Sequence, residues 1–528
     1  MLWIGVHLPL LSLESFAGTL GPAQAGRPLA LVEAHRIVQA DAAARERGVR
    51  PGLKRATALA LAPELLLGQA DARRDAQSLQ AVTHAALAFT PAVACNDEPG
   101  RAGVRLEVQA SLRYFRGLPA LLQRLQQALA PLGHQLQIAT APTALGAALL
   151  AQWRGDLALG PHSTDLAPLR RWLDAAPVWL LGPGREHWEA LQGMGLHTLS
   201  DLRKLPRSGV ARRFSPELLN ELDRARGDAP EPHQWIELPP RFDSRLELFA
   251  RADTSEQVLA GARVLLARLV AWAQARHGRI PHFSLLMHHE PRHRSDSQIP
   301  ASTPLDIESA EPATDIGHLQ QLLTERLSRL PLLAPALELS LHCDALVPGA
   351  PPNAELFPTR ASQGSGLTRL VERLQARLGR EQVCSLRPVA DHRPERATVA
   401  EPADAAATAA AVLAGRALDA SLLLPCPLAA DAQPGHAVAD LRVSRPVWLL
   451  PEPLPLSERA GQPWFEGRPL QLLAGPERIE SGWWDSELVT RDYFIAGQHD
   501  GAQLWIFCER LPQPAGQGSG WFLHGRFG

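Results

Sequence analysis

A chain of 528 residues exceeds what one hydrophobic core serves and predicts three or four domains. Its formal charge of −2 excludes a global basic field, so any contact with nucleic acid has to come from local patches. The five cysteines (Cys95, Cys343, Cys384, Cys426, Cys508) form no CxxC pair, which argues against structural zinc and a disulfide framework and fits a reducing, cytoplasmic setting.

The opening stretch, MLWIGVHLPLLSLESFAGTLGPAQAG, ends on an Ala-Gln-Ala that imitates a signal-peptidase site. No Lys or Arg precedes Arg27, however, and His7, Pro9 and Glu14 interrupt the apolar run, so residues 2–8 are predicted as a buried first strand. No other run is apolar and long enough to span a membrane. Through residue 165, LWIGVHL, PLALVE, GVRLEVQ and HQLQIAT read as strands, and ALLQRLQQAL and ALGAALLAQW as helices. Residues 166–230 read as all-helical. Residues 240–347 are mixed again, with SRLELFA, HFSLLMHH and ALELSLHCDAL as strands around two helices. A segment rich in Pro, Gly and Ser follows, then a helix near 367–379. Residues 395–435 are expected to be a linker. Six of the thirteen Trp fall in the last 90 residues among Gly and Pro, which suggests a compact, mostly β domain.

Two stretches carry chemistry. CNDEPG, residues 95–100, sets Asp97 beside Glu98 at a strand end. Adjacent acids there can hold a divalent metal, yet Asn-Asp-Glu-Pro-Gly is also ordinary turn chemistry. Residues 180–205 contain two Gly turns, Gly182-Pro183-Gly184 and Gly193-Met194-Gly195, each leading into a helical run. Thr198 is the expected N-cap of the second, with Asp201 as its capping-box partner. Backbone N–H groups at such turns bind phosphate without reading sequence. Arg185, Arg203, Lys204, Arg207, Arg212 and Arg213 lie alongside or just downstream, so DNA-backbone binding is expected of Gly182, Gly184, Arg185, Gly193, Gly195, Arg203 and Lys204.

The order of these pieces resembles the Y-family (UmuC/DinB-like) translesion DNA polymerases. AAARERGVRPGLKRATAL (42–59) is similar to their fingers motif, FTPAVACNDEPGRAGVRLEVQ (89–109) to the palm stretch with its metal-binding acids, and IATAPTALGAALLA (138–151) to a triphosphate-binding passage. The Gly-turn segment is similar to the helix–hairpin–helix of the thumb. The resemblance implies a multidomain α/β and α architecture: palm and fingers over 1–165, thumb over 166–235, a little-finger-like domain over 240–347. An exposed segment at 348–366, a helical extension at 367–394, the linker and a C-terminal Trp-rich domain at 440–528 complete it.

The departures from that pattern matter more. The family's first metal carboxylate lies in strand one, where this chain has Val6-His7-Leu8-Pro9, and neutral imidazole is a poor Mg²⁺ ligand. The fingers tyrosine falls on Ala42, with the arginine kept as Arg45, and the triphosphate lysine falls on Ala144. In the family the acidic pair lies four residues before the next aspartate; here Glu98 lies nine residues before Glu107, with PGRAG between. CNDEPG is therefore read as a hairpin turn, no cofactor is expected, and His7, Ala42, Arg45, Asp97, Glu98 and Ala144 are read as vestiges of a polymerase site.

The tail, with RPVWLLPEPLPL, GPERIESGWWDSELVTRDYFIA, GAQLWIFCER and GWFLHGRFG, is similar to the C-terminal domain of ImuB-type proteins, inactive Y-family homologues of bacterial damage-induced (SOS) mutagenesis cassettes. That resemblance implies a scaffold binding DNA, the sliding clamp (beta subunit), an error-prone C-family DNA polymerase and a RecA-like accessory protein. Clamp ligands are extended peptides with a polar end and a Leu-Phe anchor. NAELFP supplies Asn353, Ala354, Glu355, Leu356 and Phe357 in an accessible setting, whereas QLWIF (503–507) alternates like a core strand. Partner contacts are expected of Trp483, Trp484, Asp485, Arg491, Asp492 and Tyr493, with an Arg–Asp pairing among them and the two Trp on opposite faces of a strand. The alternatives are an active low-fidelity Y-family polymerase holding Mg²⁺ on Asp97, Glu98 and Glu107, and a plain DNA-binding protein with no clamp role.

Overall fold

The computed structural model describes residues 1–98, 100–289, 300–349, 360–405, 407–408, 445–446, 448–510 and 520–527. Two compact units divide the chain, Met1–Arg377 and Leu378–Gly528.

In the first unit, β1 (Trp3–His7) and α1 (Leu11–Ala17) precede a small subdomain of β2 (Leu29–Glu33), β3 (Arg36–Ala40), α2 (Ala42–Glu46), α3 (Arg55–Leu61) and β4 (Leu66–Gln69). Then come α4 (Ala72–Leu87), β5 (Val93–Asn96), β6 (Gly103–Glu107), α5 (Leu118–Leu129), β7 (Gln137–Ala141) and α6 (Ala144–Trp153). These make a four-stranded sheet in the order β5-β6-β1-β7, and a separate three-stranded sheet β3-β2-β4. As an interior strand β1 is buried on both faces, which is why WIGVH shows no polar alternation. Ile4 and Val6 meet Leu79, Val82, Leu121 and Leu125 of α4 and α5. Trp3 faces the opposite core, built on α6 and the helices that follow. Gly5 lets α6 press onto β1, since a Cβ there would lie 2.5 Å from the Ala147 backbone.

Six short helices follow: α7 (Leu166–Ala175), α8 (Gly182–Glu186), α9 (Trp188–Gly193), α10 (Leu199–Arg203), α11 (Arg207–Arg213) and α12 (Pro216–Arg226). The expected cap is present: Thr198 Oγ1 accepts from Asp201 N and the Asp201 carboxylate from Thr198 N. Next, β8 (Phe242–Ala252), α13 (Ser255–Ala275), β9 (Gly278–His289), β10 (Ser302–Ala313), α14 (Ile316–Arg329), β11 (Ala336–Cys343) and β12 (Val347–Pro348) form a sheet ordered β10-β9-β11-β8, β12 pairing with β9. Among the described residues α13 is the one helix long and apolar enough to cross a membrane, and it is instead this subdomain's core, with Trp272 and Leu265 fully buried. The unit ends in α15 (Arg360–Leu378).

The second unit starts before the expected linker ends. β13 (Cys384–Pro388) and β14 (Thr398–Pro402) pair as a ribbon, so residues 395–402, assigned to the linker from composition, are ordered structure. Ala/Pro richness hid a ribbon held by its ladder and by Arg387–Glu401. β15 (Trp448–Pro455), β16 (Ser457–Arg459), β17 (Gln462–Phe465), β18 (Arg468–Pro469), β19 (Gln471–Ser481), β20 (Val489–Gly497), β21 (Gln503–Glu509) and β22 (Trp521–Arg526) follow. They form a five-stranded sheet β15-β22-β21-β20-β19 and a small sheet β16-β17-β18. QLWIF lies in β21 with both faces buried, Leu504 and Ile506 in one core, Trp505 and Phe507 in the other.

Candidate functional site: a filled pocket at His7 and its neighbours

β1 ends at His7, in register with Gly103 of β6, and Asn96 of β5 pairs with that same glycine. The described residues 97, 98 and 100–102 thus belong to the loop of a β5–β6 hairpin, with Arg101 N bonded back to Glu98 O at 2.9 Å. His7 is buried and its Nδ1 lies 3.0 Å from Ala102 O. Burial holds its pKa below the usual 6.5, and nearby Arg185 acts in the same direction. The cavity beside it has a volume of about 30 Å³, room for roughly one water molecule, and is lined by His7, Asn96, Arg101, Arg105, Leu145 and Gln152 among others. Two guanidiniums and an imidazole face it. No carboxylate among the described residues lines it, so it offers a divalent cation none of the hard, negatively charged oxygen ligands such an ion needs.

The three acids of the alternative reading do not converge. Asp97 and Glu98 are exposed on the loop beyond His7, and Glu98 Oε2 accepts from Arg101 at 2.8 Å. Glu107 lies opposite Trp3, four rungs down the β1–β6 ladder, or about 13 Å at the usual rise.

Each remaining sequence-predicted position has a definite place. Ala144 is the buried first residue of α6, behind the Thr143 cap. The next N–H, from Leu145, donates to Glu231 Oε2 at 2.9 Å, while Glu231 Oε1 accepts from Arg105 at 2.6 Å. An internal carboxylate therefore occupies the helix start where an anion would be favoured. Ala42 and Arg45 are exposed on α2 and do not line the pocket.

In the helical subdomain the two Gly turns differ. Gly182 N donates to Glu221 Oε2 at 2.9 Å, and a Cβ on Gly182 would lie 2.7 Å from the Arg101 guanidinium. Gly184 is buried against the Val178 carbonyl. Arg185 lies against Gly100 and over the Trp179 ring. The expectation of an open phosphate-binding turn therefore fails at Gly182, Gly184 and Arg185, because internal groups satisfy that turn. Gly193 and Gly195 are exposed, with open space where side chains would stand. Arg203 pairs with Asp174, Lys204 with Asp201 and Arg207 with Asp223. Arg212 and Arg213, exposed on the last turn of α11, form no ion pair among the described residues.

The clamp peptide Asn353–Phe357 lies outside the described residues. In the second unit Trp483 and Trp484 are 79% and 52% exposed. They sit not in a strand, as expected, but in the turn between β19 and β20, ring centroids 5.4 Å apart. Asp485 is pinned by Arg393 and Arg396 from the loop joining β13 to β14. The expected Arg–Asp pairing among these residues does not form: Arg491 pairs with Glu395 and Glu509, and Asp492 with Arg478 and Arg510. Tyr493 is a core residue, stacked on Trp505 at 4.1 Å with its hydroxyl 2.8 Å from His524 Nδ1, so it cannot contact a partner directly. Strand alternation put residue 493 inward, and the motif's aromatic richness masked that.

Sequence reasoning missed Arg101, Arg105, Glu221 and Glu231. The inserted PGRAG carried Arg101 in plain view, but its partner Glu221 lies 120 residues away, and no local spacing signals such a pair.

No protein-family model matches the chain. It is 28% identical over 502 residues to Protein ImuB of two strains of Caulobacter vibrioides, covering 91% of this chain and all of that protein. Among solved structures, a Dbh ternary complex and DinB from Sulfolobus solfataricus each show 15% identity over 66% of this chain and all of theirs, with TM-scores of 0.37 and 0.36.

Proposed function

From a chain that is an ImuB-type, Y-family-like protein related to DNA-damage mutagenesis, we propose a non-catalytic DNA-binding scaffold. It holds the sliding clamp through Asn353–Phe357 and gathers an error-prone C-family polymerase and a RecA-like accessory protein in the cytoplasm. The observation that carries the non-catalytic reading is the pocket at His7, walled by Arg101 and Arg105 and about one water in size. Nucleotidyl transfer needs metal ions clamped by carboxylates and a cradle for a triphosphate. Here no carboxylate among the described residues lines the pocket, and Glu231 fills the nearest anion-binding helix start.

DNA contact is assigned to the open Gly193–Gly195 turn with Arg212 and Arg213, and partner contact to Trp483 and Trp484. Both rest on exposure and unneutralised chemistry.

Primer extension by the purified protein with Mg²⁺ and then Mn²⁺, beside an Asp97→Ala/Glu98→Ala control, tests the central claim. Incorporation no higher than the control is expected; incorporation abolished by the double substitution would establish a polymerase. Replacing Leu356 and Phe357 by Ala is expected to weaken clamp binding at least tenfold, the usual cost of losing hot-spot anchors. Unchanged affinity would remove the clamp from the proposal.

A further inference from the structure

The residues that close the pocket touch more than the pocket. The Arg101 guanidinium lies between two carboxylates on different subdomains: Nη1 donates to Glu98 Oε2 on its own loop, Nη2 to Glu221 Oε1 on α12. Glu221 divides its two oxygens, one to Arg101 and the other to Gly182 N at the start of α8. The loop is held from two further sides. Gln152 Nε2 of α6 donates to Gly100 O at 3.0 Å, and the Arg185 guanidinium of α8 lies where a Cβ on Gly100 would stand. Both paired side chains are largely withdrawn from water, Arg101 at 11% and Glu221 at 14% exposure. The far end of α12 is tied to the same sheet by Thr143 Oγ1, which donates to Ala225 O at 2.7 Å.

We propose that Arg101 is a positioning residue: the β5–β6 loop carries its guanidinium across to Glu221 and fixes the helical subdomain, α8 to α12, on the central sheet in one orientation. Buried ion pairs contribute modestly to net stability, because desolvation offsets their attraction, but they specify geometry, and removing one partner leaves the other charge stranded. The arrangement has that form: one guanidinium fork donates to two carboxylates, and the Gly182 N–H donates to the second oxygen of Glu221. It holds the open Gly193–Gly195 turn and Arg212–Arg213 at a set distance from the sheet, so that the subdomain meets DNA already oriented. This use for DNA rests on the scaffold reading; the fixing itself does not.

The test is hydrogen–deuterium exchange on the full chain for Arg101→Gln, Glu221→Gln and the double variant, with Arg101→Lys beside them. Glu221→Gln keeps an acceptor for Gly182 N. Each single Gln variant is expected to speed amide exchange across residues 182–226 by tenfold or more and leave α13 unchanged. The double variant should exceed the worse single by less than threefold, because the two residues act through one contact. Arg101→Lys, which keeps the charge without the fork, should fall between. Unchanged exchange over 182–226, or single effects that multiply in the double, would overturn the proposal. Should either Gln variant not fold, full exchange protection in Arg101→Lys would overturn it equally, since charge alone would then suffice. Primer extension does not enter this readout, so the scaffold reading and the positioning role fail separately.

Discussion

Burial depresses the pKa of His84, His524 and His7. His84, 4% exposed on α4, has its pKa pushed to about 4 by burial alone. His524, beside Tyr493, is likewise lowered to about 4, chiefly by burial. His7 is lowered for the same first reason. A base whose folded pKa is depressed binds its proton more readily when unfolded, so the neutral form's stabilisation is complete above the unfolded value near 6.5. It is lost as pH falls towards 4. Denaturant midpoints should therefore be flat from pH 8 to 7 and fall between 6.5 and 4, His84 and His524 each costing on the order of 3 kcal/mol at the bottom of that range. His84→Gln, which cannot titrate, should flatten the fall in the first unit. At Gly5 the prediction is steric. An alanine Cβ would meet the Ala147 backbone at 2.5 Å, so Gly5→Ala should destabilise by about 1–3 kcal/mol, read from the same denaturant curves.

At the scale of elements, the helical subdomain separates bound from available charge. Arg203 and Arg207 already face Asp174 and Asp223, whereas Arg212 and Arg213 have no acidic partner among the described residues. Arg212→Ala/Arg213→Ala should therefore weaken duplex binding and reduce the slope of log affinity against log salt by about 2, near one per lost phosphate contact. Arg203→Ala should change the slope by less than half a unit. Most elements were legible in the sequence because their periodicity is strong. WIGVH, GVRLE and QIATA were found as strands, and the long α13 announced itself by its apolar periodicity. β10 was not foreseen: STPLDIESAEPA carries two prolines and acids in no clear alternation, which an edge strand tolerates and an interior one would not. The candidate site was half legible. His7, Ala144 and the hairpin loop were visible as departures from a pattern. The fillers Arg101, Glu221 and Glu231 were not, since each works through contacts 86 to 126 residues away.

For the whole molecule, the division after Arg377 places the β13–β14 ribbon with the Trp-rich sheet and not with a linker. Its connecting loop supplies Arg393 and Arg396 to Asp485, and Glu395 to Arg491. A fragment starting at residue 440 should accordingly melt at a lower temperature than one starting at 378, by calorimetry, although both contain the whole large sheet. Equal midpoints would show the ribbon to be dispensable. The same loop governs the aromatic turn: Arg393 bonds to Asp485, and its guanidinium lies 5.6 Å from the Trp484 ring centroid.

That turn also has an optical consequence. Trp505 is fully buried, whereas Trp483 and Trp484 stand in water within one ring contact of each other. The pair should emit at long wavelength, be open to acrylamide quenching and couple electronically in the near-ultraviolet circular dichroism. A molecule seated on the turn would shift that emission to the blue and shield it from the quencher. The chain thus carries its own label for whatever docks there, and a Trp483→Phe/Trp484→Phe variant would supply the dark reference.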